Sequence, residues 1–316
     1  MKVGWNANPL PVDGEYLMNG LVIRSQSGFF SVKSDGSEYV CHLRGRLLKG
    51  RREGDVIAVG DRVRFTPVEE NRGMIEEVEP RRSMFSRLAP RPKGVYQQIL
   101  IANPDEIVLV FACAQPEPRF GMLDRFLVIA ERNHVPAVIV ANKTDLVATE
   151  QADGLFSRYP PVGYPVIYTS TKTGFGIERF KDQLQGKISL LSGPSGVGKS
   201  SLLNAIQPGL GLQVRQVSEA TSKGRHTTVV RELFPVEGGG FVADTPGLKA
   251  LALWDVEPEE LDAYFPEIGT RVAGCQFSDC THVHEPDCAI LRAVEAGEIH
   301  PERYESYLHM RFGDQE

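Results

Sequence analysis

The sequence predicts three folds in series: an N-terminal OB-type β-barrel, a central α/β domain built on a phosphate-binding loop, and a mainly helical C-terminal region around a Cys/His cluster. Three observations predict this. Short apolar or alternating runs crowd the first 85 residues. Continuous apolar runs alternate with helical periodicity from Ile99 onward. Three of the five cysteines gather between Cys275 and Cys288. The expected domains are residues 1–85, 86–255 and 256–316.

The barrel rests on five runs: Gly20–Arg24, Gly28–Val32, Tyr39–Leu43, Asp61–Phe65 and Gly73–Val78. Gly, Asp, Asn and Ser separate them, as turns between short strands require. Five strands in so short a span fit an OB barrel, a fold that often binds oligonucleotides. A plain packing module remains the alternative, because fold alone does not establish a use. Between His42 and Lys93, 13 Lys and Arg stand against 8 Asp and Glu, a local net of +5. That stretch reads either as an RNA-facing patch or as a solvated mixed surface. Arg81–Gln98, rich in Arg, Pro and Ser, reads as a linker.

Ile107–Cys113 and Val135–Ala141 are unbroken apolar runs, the pattern of strands buried on both faces of a parallel sheet. Between them Met122–Asn133 carries apolar residues at helical spacing. Pro165–Tyr168, Ile188–Leu191 and Gly240–Ala243 are further strand candidates, and Ile177–Leu184 and Lys199–Ile206 further helices. Such alternation implies an α/β sandwich with a mostly parallel sheet.

The strand candidate at Ile188 runs into Gly193-Pro194-Ser195-Gly196-Val197-Gly198-Lys199-Ser200-Ser201, a GxxxxGKS loop that opens a helix. Glycines let successive backbone N–H groups turn inward toward phosphate oxygens, and the helix adds its positive N-terminal end. Lys199 is expected to bridge the β- and γ-phosphates and Ser200 to ligate Mg²⁺. The loop alone does not choose between ATP and GTP.

The choice comes from Asn142-Lys143-Thr144-Asp145, an NKxD motif at the carboxyl end of the Val135–Ala141 run. A carboxylate at Asp145 can accept from N1–H and the exocyclic amine of guanine, whereas adenine offers neither donor in that arrangement. An unpaired buried carboxylate is costly, so such a site rejects ATP. Asn142 can bond the base edge and tie neighbouring loops, and the Lys143 stem can cover the base plane. Ser170-Thr171-Lys172, after the next strand candidate, offers a backbone contact to the guanine oxygen. Phe241-Val-Ala-Asp244-Thr-Pro-Gly247 is a strand followed by DxPG, in which Asp244 is expected to hold Mg²⁺ and the Gly247 N–H to meet the γ-phosphate. Between the two lies Gly224-Arg-His226-Thr227-Thr228, and Thr228 is the preferred threonine to complete the Mg²⁺ shell. Many GTPases place a glutamine after the DxxG glycine to orient water. Here that position is Leu248, and His226 is the nearest substitute.

Cys275, Cys280 and Cys288, with His282 or His284, have the short spacing of a closed tetrahedral Zn²⁺ site. Four protein ligands would leave no position open for catalysis. Cys41 and Cys113 sit in strand-like runs and read as core residues.

These motifs resemble the translation-factor class of GTPases, but their order is unusual: base motif, second base loop, phosphate loop, switch, DxPG. The whole chain is similar to the family of small ribosomal subunit biogenesis GTPases, RsgA of the YjeQ type. The specific marks are GPSGVGKSS, GRHTT, DTPG and the Cys/His cluster. The resemblance implies a circularly permuted GTPase between an OB domain and a zinc domain, with His282 rather than His284 as ligand. It also implies binding of the small ribosomal subunit and its rRNA in late maturation, hydrolysis of GTP to GDP stimulated by that subunit, and a role for the GRHTT histidine. The expected cofactors are one structural Zn²⁺ per chain and Mg²⁺ with GTP, and the expected state is a monomer.

Composition agrees with a globular chain and bounds the rest. No apolar run approaches the ~18 residues of a membrane span, and the first residues lack a signal pattern, so a cytoplasmic location is expected. The net charge of −6 excludes a surface coated in basic charge, though not a local patch. An odd number of cysteines without an export signal argues against a disulfide framework. Two rival readings share part of the motif set. A non-hydrolysing nucleotide-gated RNA-binding module would not turn over GTP, and a P-loop kinase is opposed by NKxD and DxPG together.

Overall fold

Residues Ser27 and Gly28, and again Asp35 and Gly36, have positive φ, which makes each pair a two-residue hairpin turn matched to strand twist. These turns join β1 (Met18–Gln26) to β2 (Phe29–Ser34) and β2 to β3 (Ser37–Leu43). After a 3-10 turn at Gly45–Leu48 come β4 (Arg62–Glu69) and β5 (Arg72–Val78). The strands close in the order β1-β2-β3-β5-β4, with β3 and β5 parallel and the other neighbours antiparallel. Val22, Phe30, Val32, Cys41, Val63, Phe65 and Ile75 point inward and fill the barrel. All five expected strands are present. The computed structural model describes residues 17–48, 54–91, 94–208, 232–244 and 256–313.

Arg81–Gln98 is not a linker. Most of it pairs as a two-stranded antiparallel ribbon, β6 (Met84–Arg91) with β7 (Gly94–Ala102). Phe85, Ile99 and Ile101 are buried at its base, and an edge ribbon tolerates proline at Pro90 because it needs only one partner. The base of the ribbon also seats the barrel. Ala102 N–H donates to Val59 O at 2.9 Å, Asn103 Nδ2 to Gly60 O at 3.1 Å, and Arg81 grips the fully buried Asp61 carboxylate through two 2.8 Å bonds. Ile23 and Val59 of the barrel belong to the same apolar cluster as the central sheet.

The central sheet has the order β10-β9-β8-β11-β13-β12. Its members are β8 (Glu106–Ala112), β9 (Ala137–Asn142), β10 (Val166–Thr169), β11 (Ile188–Ser192), β12 (Phe234–Pro235) and β13 (Phe241–Asp244). Five strands run parallel, and β12 lies antiparallel at the edge. Every residue of β8 and β9 is buried, which is why both read as unbroken apolar runs. Ile107, Leu109 and Phe111 face α1 (Phe120–Arg132) and α2 (Thr149–Phe156). Val108, Val110 and Ala112 face α3 (Ile177–Leu184) and α4 (Lys199–Ile206). The period-two alternation thus feeds two apolar layers, one on each side of the sheet.

Only residues 185–187 separate α3 from β11, so the helix after the second base loop runs almost directly into the phosphate-loop strand. Glu106, 2% exposed, pins this joint: Gln183 Nε2 and Lys187 Nζ donate to Oε2 at 2.7 Å each, and Ser189 Oγ to Oε1 at 2.9 Å.

The C-terminal region is mainly helical among the described residues, with a 3-10 segment Pro258–Tyr264, a turn of helix Pro266–Gly269, and helices Ala289–Glu295 and Pro301–Phe312. It packs on α1 through Val128, which joins Leu261, Phe265, Ile268, Ile290 and Tyr307 in one cluster. Arg303, 1% exposed, crosses this contact and bonds Asp124 of α1 at 2.7 Å and Glu267 at 2.7 and 3.1 Å.

Candidate nucleotide site and metal centre

Four of five neighbouring parallel strands deliver expected nucleotide motifs to one edge of the sheet. The phosphate loop follows β11, Asn142 ends β9, Ser170 follows β10 and Asp244 ends β13, while the fifth strand, β8, leads to Cys113 and Gln115, which the sequence did not assign to the nucleotide. This is the carboxyl edge, where α/β sheets bind ligands.

The loop from Gly193 to Ser201 is held from three sides. Gly193 has φ +145, and a Cβ there would sit 2.1 Å from Val110 O, so only glycine lets the loop leave β11 beside β8. Gly198, at φ +97 before α4, lies so close to Asn142 Nδ2 that a Cβ would come within 2.4 Å. Val197 points the other way, 1% exposed, into the core beneath. The Lys199 ammonium donates to Gly193 O and Pro194 O at 2.8 Å each, which holds it across the loop. Ser200 is buried at the first turn of α4.

Asn142, 1% exposed, joins the base motif to this loop by donating from Nδ2 to Val197 O at 2.8 Å. Its Oδ1 accepts from Thr169 Oγ1 at 3.1 Å, which fixes the amide's orientation. Lys143 takes a left-handed φ of 62, and its ammonium reaches Gly196 O at 2.6 Å and the carbonyl of Gln115. Its stem therefore lies over the gap between the base motif and the phosphate loop. Thr144 Oγ1 donates to Thr169 O at 3.2 Å. Asp145 accepts from Ser170 Oγ at 2.6 Å, and Lys172 Nζ stands 3.9 Å from its other oxygen. Asn142 and Thr144 are thus bonded to Thr169, and Asp145 to the next residue, Ser170, so the base motif is held along the end of β10. Thr171 and Lys172 are exposed on the loop beyond it. Cys113 is buried nearby, and burial, with the Asp145 carboxylate second, pushes its thiol up to about 11.

His226, Thr228 and Gly247 lie outside the described residues, and of Asp244 only its place at the end of β13 is described. Sequence reasoning passed over Thr169, whose hydroxyl and carbonyl brace two base-motif residues. A polar residue ending an otherwise apolar strand was the available signal.

At the other pole, Cys275, Cys280, His282 and Cys288 bring one donor atom each within 4.8 Å of one another. Cys275 Sγ and Cys288 Sγ lie 3.9 Å apart, with His282 Nδ1 at 3.6 and 3.4 Å from them. These are close to the edges of a tetrahedron about a cation at about 2.0–2.3 Å from N and S ligands, so the set can hold a metal ion. His284 is exposed and stands outside the group, which decides between the two histidines. Behind the cluster, Asp262 Oδ2 lies 3.3 Å from His282 Nε2, the outer-shell partner that orients a ligating imidazole. Tyr307 OH and Arg311 hold the other Asp262 oxygen at 2.5 and 2.6 Å. Asp262 stands 20 residues before His282 in the chain, and nothing in the local spacing pointed to it.

A family model described as RsgA GTPase matches residues 78–254, and one described as RsgA N-terminal domain matches residues 19–75. The small ribosomal subunit biogenesis GTPase RsgA of Gemmatimonas aurantiaca is 45% identical over 92% of this chain and 96% of its own length. Its namesake from Thermotoga maritima is 43% identical over 92% and 95%. The crystal structure of YjeQ from Thermotoga maritima superposes with a TM-score of 0.77 at 40% identity, covering 94% of this chain and 98% of that one. YloQ, described as a circularly permuted GTPase, gives 0.73 at 32% identity over 94% of both. With a phosphate loop that follows the base motif and matches over nearly its whole length, this chain belongs to the RsgA family of circularly permuted, GTP-hydrolysing enzymes.

Proposed function

We propose that this GTPase works on the small ribosomal subunit during its late maturation, and that docking on the subunit and its rRNA accelerates hydrolysis of GTP to GDP. The single observation that carries the guanine reading is the base motif held on the end of β10, Asn142 by Thr169 and Asp145 by Ser170, with Asn142 tied to the phosphate loop through Val197 O. Support for the subunit comes from relatives named for small-subunit biogenesis at 41–45% identity.

In this reading Asp145 accepts from guanine N1–H and the exocyclic amine, displacing Ser170 and Lys172 as its partners. Asn142 and Thr144 hold the base loop, the Lys143 stem covers the base, and Ser170, Thr171 and Lys172 offer backbone to the guanine oxygen. Gly193 through Ser201 cradle the phosphates, with Lys199 on the β- and γ-groups. Ser200, Thr228 and Asp244 serve Mg²⁺, Gly247 senses the γ-phosphate, and His226 orients the attacking water. The Cys275, Cys280, His282 and Cys288 cluster holds one structural Zn²⁺, with no open coordination position. The barrel contributes RNA contact, and the chain acts as a cytoplasmic monomer.

GTP turnover measured with and without purified small subunits tests this. A rise of at least about tenfold on adding subunits is expected, within the range by which partners accelerate GTPases. Equal turnover in both conditions overturns the subunit's role.

A further inference from the structure

The GTPase sheet does not end at β12. Arg24 of β1 and Glu232, two residues before β12, are antiparallel bridge partners. Leu233 N–H donates to Ile23 O at 2.8 Å. The side chains of Arg24 and Glu232 form an ion pair beside this bond. Leu233, 1% exposed, shares one apolar cluster with Ile23, and Phe241 of β13 packs against that cluster. Lys33 of β2 stands 5.5 Å over the Phe241 ring and makes a second contact between the barrel and this edge.

We infer that Arg24 and Glu232 are positioning residues for the GTPase cycle, forming a latch through which the barrel sets the register of the strand that follows the switch loop. The inference rests on the reading of Thr228 and Asp244 as ligands of the Mg²⁺ that accompanies GTP. Three residues separate Thr228 from Glu232. β12, which follows Glu232, pairs with β13, the strand that ends at the proposed Mg²⁺ ligand Asp244, so a shift of the nucleotide's Mg²⁺ site reaches the bridge through adjoining backbone.

The two parts of the contact divide the work. Leu233 is a buried anchor and keeps the edge strand against the barrel. The ion pair is exposed, with 46% and 34% of its side chains accessible, so it adds little to overall stability. A contact of that kind can open and close within a working cycle at small cost. Its sign pairing makes one register of Glu232 against β1 better than its neighbours. Because coupling between sites is reciprocal, a ligand that moves the barrel must then also change the protein's preference between GTP and GDP.

Hydrogen exchange on the full chain, with a non-hydrolysable GTP analogue or with GDP and no ribosomal subunits, tests the latch. Peptides covering residues 20–26 and 232–236 should exchange at rates differing by about threefold or more between the two nucleotides. Arg24→Glu and Glu232→Arg should each remove that difference, and Arg24→Glu combined with Glu232→Arg should restore it. A difference in exchange between the two nucleotides is a result that a merely structural role would not give, and its restoration by charge reversal assigns it to this pair. Arg24→Gln, which keeps the stem and a donor, guards against misfolding of the reversed variants and should give a partial loss. The latch is overturned by equal exchange in both nucleotides, by single variants that keep the difference, or by a double variant that fails to regain it. Parallel titration with fluorescent GTP and GDP separates the failures. A chain that binds neither nucleotide refutes the site and the latch together, while normal binding with unchanged exchange refutes the latch alone.

Discussion

Asn142 Nδ2 donates to Val197 O across 2.8 Å, so the residue that opens the base motif also holds the phosphate loop. In the chain the two are 55 positions apart. The permutation placed Asn142 before the loop it braces, yet the sheet still sets β9, β8 and β11 side by side. A cut and rejoined chain keeps its packing when the rejoined ends lie close, and three residues sufficed here.

Asn142→Ala removes both the bond to Val197 O and the acceptor for Thr169. A buried carbonyl left unpaired costs about 1–3 kcal/mol. The variant should lose about that much stability in urea unfolding and bind GTP and GDP about 10- to 100-fold more weakly, since both nucleotides use the same loop. A weakening confined to GTP would show that Asn142 acts on the γ-phosphate rather than on the shared cradle.

Asp145→Asn tests base choice directly. The exchange turns one acceptor oxygen into a donor amide that faces the guanine N1–H or its exocyclic amine. Loss of a charge-assisted pair of bonds should lower GTP affinity by roughly 1.5–3 kcal/mol, or about 10- to 150-fold. ATP should not compete with GTP on the native protein, and xanthine nucleotides, which carry an oxygen in place of the amine, should gain on the variant. Equal competition by ATP on the native protein would refute the assignment of Asp145.

The strands of the sheet and the phosphate loop were legible because burial on both faces leaves an unbroken apolar run, and because a glycine loop before a helix has few alternative uses. The ribbon Met84–Ala102 was not, since Pro90, Pro92 and several arginines masked a strand pair whose anchors, Phe85 and Ile101, lie at one end. Helix α2 was missed because only Ala152 and Phe156 are buried, with Leu155 packed at the core's edge, and all three sit in its last turn and a half, too few to set up a periodicity. Arg303 was invisible for another reason. Its partner Asp124 is 179 residues away, and on its own helix it reads as one more solvated charge.

Arg303 should matter more than its helix suggests. Removing one member of a buried ion network leaves uncompensated charge, at a cost of about 3–5 kcal/mol. Arg303→Ala should therefore destabilise the C-terminal region strongly, with Asp124 and Glu267 both left without their partner. Arg303→Met combined with Asp124→Leu and Glu267→Gln should recover part of the loss. Chemical denaturation, followed by the fluorescence of probes on α1 and on helix Pro301–Phe312, checks this. A loss below about 1 kcal/mol would mean that water reaches the network.

The five thiols should fall into two classes. Burial pushes Cys113 up to about 11 and Cys41 to about 12, so at pH 8 both stay protonated and react slowly with alkylating reagents. Both folded values lie above the ordinary 9.0, so the sign is fixed: their contribution to stability is full below pH 9.0 and is lost as pH rises toward the folded values. Cys275, Cys280 and Cys288 should be protected by metal instead. Elemental analysis should find about one zinc per chain, and a strong chelator should release it, expose three thiols and loosen the C-terminal region. Purified protein without metal, or a chelator that changes no thiol, would refute the site.

The proposed role of His226 in hydrolysis is open to a direct test. Phosphoryl transfer needs an in-line water and charge stabilisation more than covalent chemistry. Leu248, after the DxPG glycine, has no polar group to orient that water. The free protein should therefore turn over slowly. His226 lies two residues before Thr228, the proposed Mg²⁺ ligand, so a subunit that docks Thr228 on the metal would bring an imidazole near the γ-phosphate. An imidazole there can accept a hydrogen bond from the water and align it, a contribution of about 10²–10⁴-fold for a positioned acid or base. His226→Ala should leave GTP affinity and subunit binding within about threefold of native while removing most of the stimulated turnover, a loss of about 10²-fold or more. His226→Gln should recover part of it, since a side-chain amide can also accept from water. Single-turnover hydrolysis with subunits in excess isolates this step from product release. A native stimulated rate in His226→Ala would remove the histidine from the chemistry and transfer the role to a group supplied by the ribosome.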